Sequence, residues 1–184
     1  MKKMMIALVA IAMAVSANAA TVMWSASNVY AMNETSKATG YTAYFLSTVD
    51  MFNGETQIAK GFSYADATAA IAAGDISFLG DYAMSSKSLS NGAGAAQATT
   101  QASNGQSWTG YLIILDGTLE TAQNAYITAT VTKSTGGTGG QATLIFSSNT
   151  GTQSPSNWQA VPEPTSGLLM LVGLAGLALR RKRS

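Results

Sequence analysis

Two apolar runs at opposite ends of the chain, residues 4–15 and 166–179, fix what everything between them can fold into. The first follows Lys2 and Lys3 and the second precedes Arg180, Arg181, Lys182 and Arg183, so six of the ten cations lie at the termini. A water-soluble core must come from residues 20–161, a normal single-domain length. That segment holds four lysines, Lys37, Lys60, Lys87 and Lys133, against eight carboxylates, a net charge of −4, and it has no Arg. Phosphate binding needs clustered Lys and Arg, so a nucleic-acid partner is excluded. The chain has no His and no Cys, which removes an imidazole base, a thiol nucleophile, a disulfide and the usual zinc or haem sites. A domain built from this segment therefore relies on its core alone.

All 15 aromatic residues lie in this interior segment, which is enough bulk for a folded domain. Period-two alternation recurs through it. Within 41–49, Tyr41, Ala43, Phe45 and Val49 share one face, opposite Thr42, Tyr44, Leu46 and Thr48. Residues 108–115 are apolar on both faces and predict a central strand buried on two sides. Residues 125–133 predict a half-buried strand with Ile127, Ala129 and Val131 inward, and 141–148 another with Ala142, Leu144 and Phe146. Segments 21–26 and 76–84 are weaker strand candidates. The Gly/Thr-rich stretch 134–140 reads as a hairpin connection. Ser63, Asp66 and Gly74 bracket an Ala-rich stretch as N-cap, first-turn acid and C′ residue, predicting a short helix over 64–73. Residues 85–107 carry almost no bulk and predict a long mobile loop or a weak, small-residue edge strand. The expected fold is all-β: a β-sandwich of about six or more antiparallel strands with one short helix, flanked by an N-terminal signal helix and a C-terminal hydrophobic helix.

The two ends read as addresses. Lys2-Lys3, the apolar run and Ser16-Ala17-Asn18-Ala19 are the parts of a secretory signal peptide, with Ala17 and Ala19 marking cleavage after residue 19. The alternative is an uncleaved anchor helix. At the other end, Pro162-Glu163-Pro164 precedes residues 166–179, which span roughly 21 Å as a helix against the ~30 Å of a hydrocarbon core. Arg180, Arg181, Lys182 and Arg183 supply what length does not. Each charge moved outward against an inside-negative potential costs about 2.3 kcal/mol per 100 mV, so the cluster acts as a stop on the cytoplasmic side. Pro162 and Pro164 lack N–H groups and bias their predecessors to extended backbone, the form in which a protease-like enzyme takes a substrate.

Pro-Glu-Pro followed by a short hydrophobic helix and an Arg-rich end resembles the PEP-CTERM sorting signal of exported proteins in Gram-negative-type bacteria. The resemblance implies that the chain is the substrate of an exosortase, after a signal peptidase has acted, with a membrane-anchored stage before processing. It also implies a place at the cell surface or in the extracellular matrix, associated with exopolysaccharide and biofilm. The layout is then a signal peptide over 1–19, a β domain over 20–149, a polar linker over 150–161 and the sorting signal over 162–184. The alternative for the tail is a plain membrane anchor that is never cut.

With His and Cys absent, chemistry would fall to carboxylates or to a Ser-Lys pair. Asp75, Asp81 and Asp116 are the candidates for an acid/base pair, and Asp116-Gly117 is the one candidate for Ca²⁺ ligation, without the dense ligand spacing that ion favours. Scattered acids are also what a solvated surface carries. The expectation is a non-enzymatic protein with no cofactor and no metal. The alternative function is a polysaccharide-binding module, in which Trp24, Trp108, Tyr111 or Tyr126 stacks on sugar rings. Asn33-Glu34-Thr35 matches a glycosylation acceptor, read as accidental beside bacterial-type signals.

Overall fold

A computed structural model of the protein describes residues 19–32, 35–137, 140–147 and 158–161. Both terminal apolar runs, Ala17, Asn33, Glu34, the Pro-Glu-Pro tripeptide and the basic end lie outside the described residues.

The fold is built around β7 (Ser107–Leu115), in which Trp108 and every residue from Gly110 to Leu115 are buried. A strand apolar on both faces must be covered on both, and two cores flank it. On one edge β7 pairs antiparallel with β2 (Thr42–Ser47), which carries the same double pattern. Ala43 and Phe45 join Leu112 and Ile114 in the first core, while Tyr44 and Leu46 join Tyr111, Ile113 and Leu115 in the second. Gly110 is needed beneath Phe45, because a Cβ there would sit 2.4 Å from the ring. Beyond β2 lies β5 (Ser85–Ser88), and on the other edge of β7 lie β8 (Asn124–Ile127) and β9 (Val131–Ser134).

The first core is closed by a three-stranded sheet of order β10-β1-β6, comprising β1 (Ala19–Ser27), β6 (Gly94–Ser103) and β10 (Gln141–Ser147). Ala20, Val22, Trp24 and Ala26 of β1 point into it together with Ala142, Leu144 and Phe146 of β10. Trp24 stacks on Phe45, with 6.5 Å between ring centroids and 16° between planes, and its indole N–H donates to Ser85 Oγ at 2.8 Å. A separate hairpin joins β3 (Met51–Asn53) to β4 (Thr56–Ala59).

Helices cover the second core. α1 (Tyr64–Ala72) starts where Ser63 Oγ accepts the Asp66 backbone N–H at 3.1 Å, and the chain leaves it through Gly74 at φ +76°. It buries Ala67 and Ile71. The one-turn α2 (Leu79–Tyr82) buries Leu79. Phe62 stacks on Phe78 at 4.4 Å beside them.

The protein is thus mostly β, with several antiparallel pairings and little helix, and four expectations change in detail. The β1–β10 pairing is parallel, since the two strands meet through distant chain rather than through a hairpin. Residues 125–133 are two strands instead of one. Ile113 lies opposite Ile127, but Gly110 lies opposite Val131, so one extra residue is inserted. A one-residue shift changes faces: Ile127 packs on the second core, while Tyr126 and Val131 pack on the first. Thr128 fills the irregularity by accepting the Leu112 N–H at 2.9 Å. Within 76–84 the regular element is α2, Leu79–Tyr82, rather than a strand. Residues 85–107 are ordered as β5, a turn and β6, the edge-strand alternative. Ala96, Ala98 and Ala102 of β6 reach the first core, and Asn91 (φ +48°) and Gly92 (φ +71°) make the turn before it.

Candidate functional site

Val161, the last described residue, is one peptide bond from Pro162. The chain reaches it through β11 (Gln159–Ala160), antiparallel to β8 with Gln159 opposite Ala125 and Ala160 opposite Asn124. A ladder of two residues is a weak hold by itself. The flanking side chains do the anchoring, and because residues of unlike parity in a strand point to opposite faces, they anchor into both cores. Trp158, 6% exposed, belongs to the first core, edge-on to Tyr41 at 5.6 Å and 5.7 Å from Tyr126. Val161, 3% exposed, belongs to the second, and its N–H donates to the Gln123 carbonyl at 2.8 Å.

Asp116 builds the receiving edge. One carboxylate oxygen accepts the backbone N–H groups of Gln123 (2.9 Å) and Asn124 (3.0 Å), and the other accepts the Asn124 amide at 2.8 Å. These bonds fold the loop after β7 so that the Gln123 carbonyl and the β8 edge face β11. A carboxylate that accepts three N–H donors has its acceptor oxygens already in use. Asp116 is therefore a structural anchor, and Asp116-Gly117 is a turn with its ligand oxygens in use.

The other acids do not join it. Asp75 accepts the Ser77 N–H at 2.8 Å, and the Ser77 hydroxyl and backbone bonds hold its carboxyl below the usual range. It lines a shallow hollow of about 420 Å³ with Ala73, Gly74, Ile76, Ser77, Gly80 and Leu119, a lining that includes neither Asp81 nor Asp116. Among the described residues no three acids are grouped to hold a metal ion.

Of the candidate sugar-stacking rings, Trp24, Trp108 and Tyr111 are fully buried. Tyr111 donates its hydroxyl to the Phe62 carbonyl at 2.9 Å, and burial pushes its phenol well above the usual range. Tyr126 is half-buried against Trp158. The three fully buried rings are packing, not platforms. Sequence reasoning placed residues 150–161 in a polar linker and overlooked Trp158 and Val161; the available signal was a lone large aromatic in an otherwise polar stretch.

An acidic, mostly β domain whose last strand runs into Pro-Glu-Pro, an apolar run and a basic end has the layout of an exported protein with a C-terminal sorting signal. The family model of the PEP-CTERM protein-sorting motif matches residues 160–183. The chain carries that motif, the mark of exosortase-dependent sorting of an exported protein through a membrane-anchored precursor in a Gram-negative-type bacterium. The match begins at Ala160, inside β11, so the motif and the folded domain share two residues. No curated protein and no solved structure matches the chain. Among the described residues no helix is long and apolar enough to cross a membrane.

Proposed function

We propose that the protein is a non-enzymatic component of the cell surface or extracellular matrix. In this reading a signal peptidase releases it after Ala19, and an exosortase processes it at Pro162-Glu163-Pro164. The domain is a β-sandwich with helices over one outer face, and its setting is exopolysaccharide or biofilm. The observation that carries the reading is the continuity of β11 with the sorting motif. From Val161 to the first residue of the apolar run is five residue steps, at most roughly 18 Å of chain. Before processing, the β8–β11 edge is therefore tethered close to the bilayer. Only four residues, 162–165, separate Val161 from the apolar run, and Glu163 is their one charge.

The non-enzymatic part is supported by the fate of the acids: Asp75 and Asp116 serve turns and loop closure. The association with exopolysaccharide rests on the family resemblance alone. A sugar-binding module gains no support from Trp24, Trp108 and Tyr111, which are spent on the cores. The test is fractionation of cells making the wild type or the combined Pro162→Ala, Glu163→Ala, Pro164→Ala variant. Wild type should leave the inner membrane for the surface or the medium, and the variant should stay behind as a larger membrane-bound form. The same distribution for both would refute the proposal.

A further inference from the structure

Three Asn-Gly pairs occur in the domain, at Asn53, Asn91 and Asn104. A glycine that follows asparagine can bring its backbone nitrogen close to the side-chain amide carbon, because no Cβ restricts the approach. The fold treats the three pairs differently. Gly92 is buried, its N–H donates to the Ala38 carbonyl at 2.7 Å, and a Cβ on it would sit 2.3 Å from the Val29 carbonyl oxygen. The Gly105 N–H donates to the Thr135 carbonyl at 3.2 Å. The Gly54 N–H has no hydrogen-bond partner among the described residues. Turn geometry is the reason. Asn53 lies opposite Thr56, so Gly54 and Glu55 form a two-residue loop, and a positive φ at Gly54 (+62°) but not at Glu55 makes the turn type II′. Such a turn bonds its outer residues and leaves the N–H of its first loop residue to solvent. Gly54 and Glu55 are exposed, with nothing within 4 Å of the place a Cβ would take on Gly54.

We infer that Asn53 is a self-modification site, where the Gly54 nitrogen closes a succinimide ring on the Asn53 side-chain amide. The nitrogen attacks Cγ, a new N–C bond forms, the Gly54 proton passes to solvent base, and the side-chain nitrogen leaves as ammonia. Water then opens the ring at either carbonyl, leaving aspartate or isoaspartate at position 53. One water is consumed, one ammonia is released, and nothing is oxidised or reduced. A second feature favours the attack. The Ser103 hydroxyl donates to Asn53 Oδ1 at 3.2 Å, the atom on which negative charge gathers as nitrogen adds to Cγ. Extended backbone at Asn53 has to swing before the ring can close, and the hairpin permits it. β3 and β4 pair only with each other, over three and four residues, with a register shift between Met51 and Phe52. So short a two-stranded ladder opens locally at low cost. Either product places a negative charge close to Glu55. Isoaspartate also lengthens the β3 backbone by one carbon, which breaks the pairing of position 53 with Thr56. The inference goes beyond the sorting reading and does not depend on it.

The test holds the full-length protein, purified in detergent from the cells that make it, at mildly alkaline pH in water enriched in heavy oxygen. The label marks each succinimide that opens during the incubation, and peptide mapping reads it at the three asparagines. Asn53 should take up label at least about tenfold faster than Asn91 or Asn104, since a hydrogen bond that must open first, at about 1.4 kcal/mol, costs that factor. In urea, where the fold no longer distinguishes the three pairs, the rates should converge. No uptake at position 53, equal uptake at all three sites of the native protein, earlier uptake at Asn91 or Asn104, or the same bias in urea overturns the inference. The readout needs no processing of the tail, so it and the sorting reading fail separately.

Discussion

The two ends of the described domain are held by different means. β1 is the middle strand of its sheet, nine residues long and paired on both sides, and Ala20 and Trp24 in it are fully buried. β11 is two residues at the rim of the larger sheet, paired on one side and pinned by Trp158 and Val161. This contrast sets where processing is compatible with a folded domain. With cleavage after Ala19, the new N-terminus is a buried residue of a central strand, so that cut belongs before the sheet closes. β11 can open locally while the cores persist, so an enzyme acting at Pro-Glu-Pro can be served by the finished domain.

The sharpest way to break this comparison is to empty each tryptophan site. Trp24→Ala removes the stack on Phe45 and the bond to Ser85, and the loss should be about 3–5 kcal/mol, read as a lower urea midpoint for the whole domain. Trp158→Ala should cost less, about 3 kcal/mol, with a different signature: in hydrogen exchange the amide of Val161 should quicken while those of β1 stay protected. Uniform quickening would make β11 part of the global unit and erase the distinction.

Asp116→Ala strips three hydrogen bonds from the loop that receives β11. A loss of about 2 kcal/mol is expected, concentrated at β8 and β11. If β1 amides loosen as much as those of β11, Asp116 is not a local anchor.

Alkali gives the smallest and most graded effect. Tyr111 lies in the same core as Val161, and burial raises its phenol. The unfolded chain loses this proton near pH 10 while the native chain keeps it. Stability is thus full below about pH 10 and falls above it, by about 1.4 kcal/mol per pH unit, until the raised native value is reached. Tyr111→Phe should flatten that decline in unfolding titrations, at the cost of the Phe62 bond.

How much of this was legible in the sequence follows the range of each interaction. The double-faced strand β7, the alternation of β2 and the capped helix α1 are written in residues close together in the chain. The parallel β1–β10 pair is not, because nothing local distinguishes a strand that waits for a distant partner. β6 was obscured by its small side chains, which bury little each and hold a strand only because the first core accepts Ala96, Ala98 and Ala102. The one-residue insertion between β8 and β9 hides in an unbroken alternation, since pattern alone does not record where pairing slips. The sorting motif was readable because its chemistry is contiguous; the anchoring of β11 was not, because Trp158 depends on Tyr41 and Tyr126 far upstream.

In the proposed function a finished β domain is delivered to the surface by cutting at the end of its last strand. Intact mass of the native protein isolated from cells tests it most directly. Processing at both ends predicts a chain starting at Ala20 and ending near residue 161, with or without an attached group. A mass that retains Arg180, Arg181, Lys182 and Arg183 would contradict it and make the tail a permanent anchor.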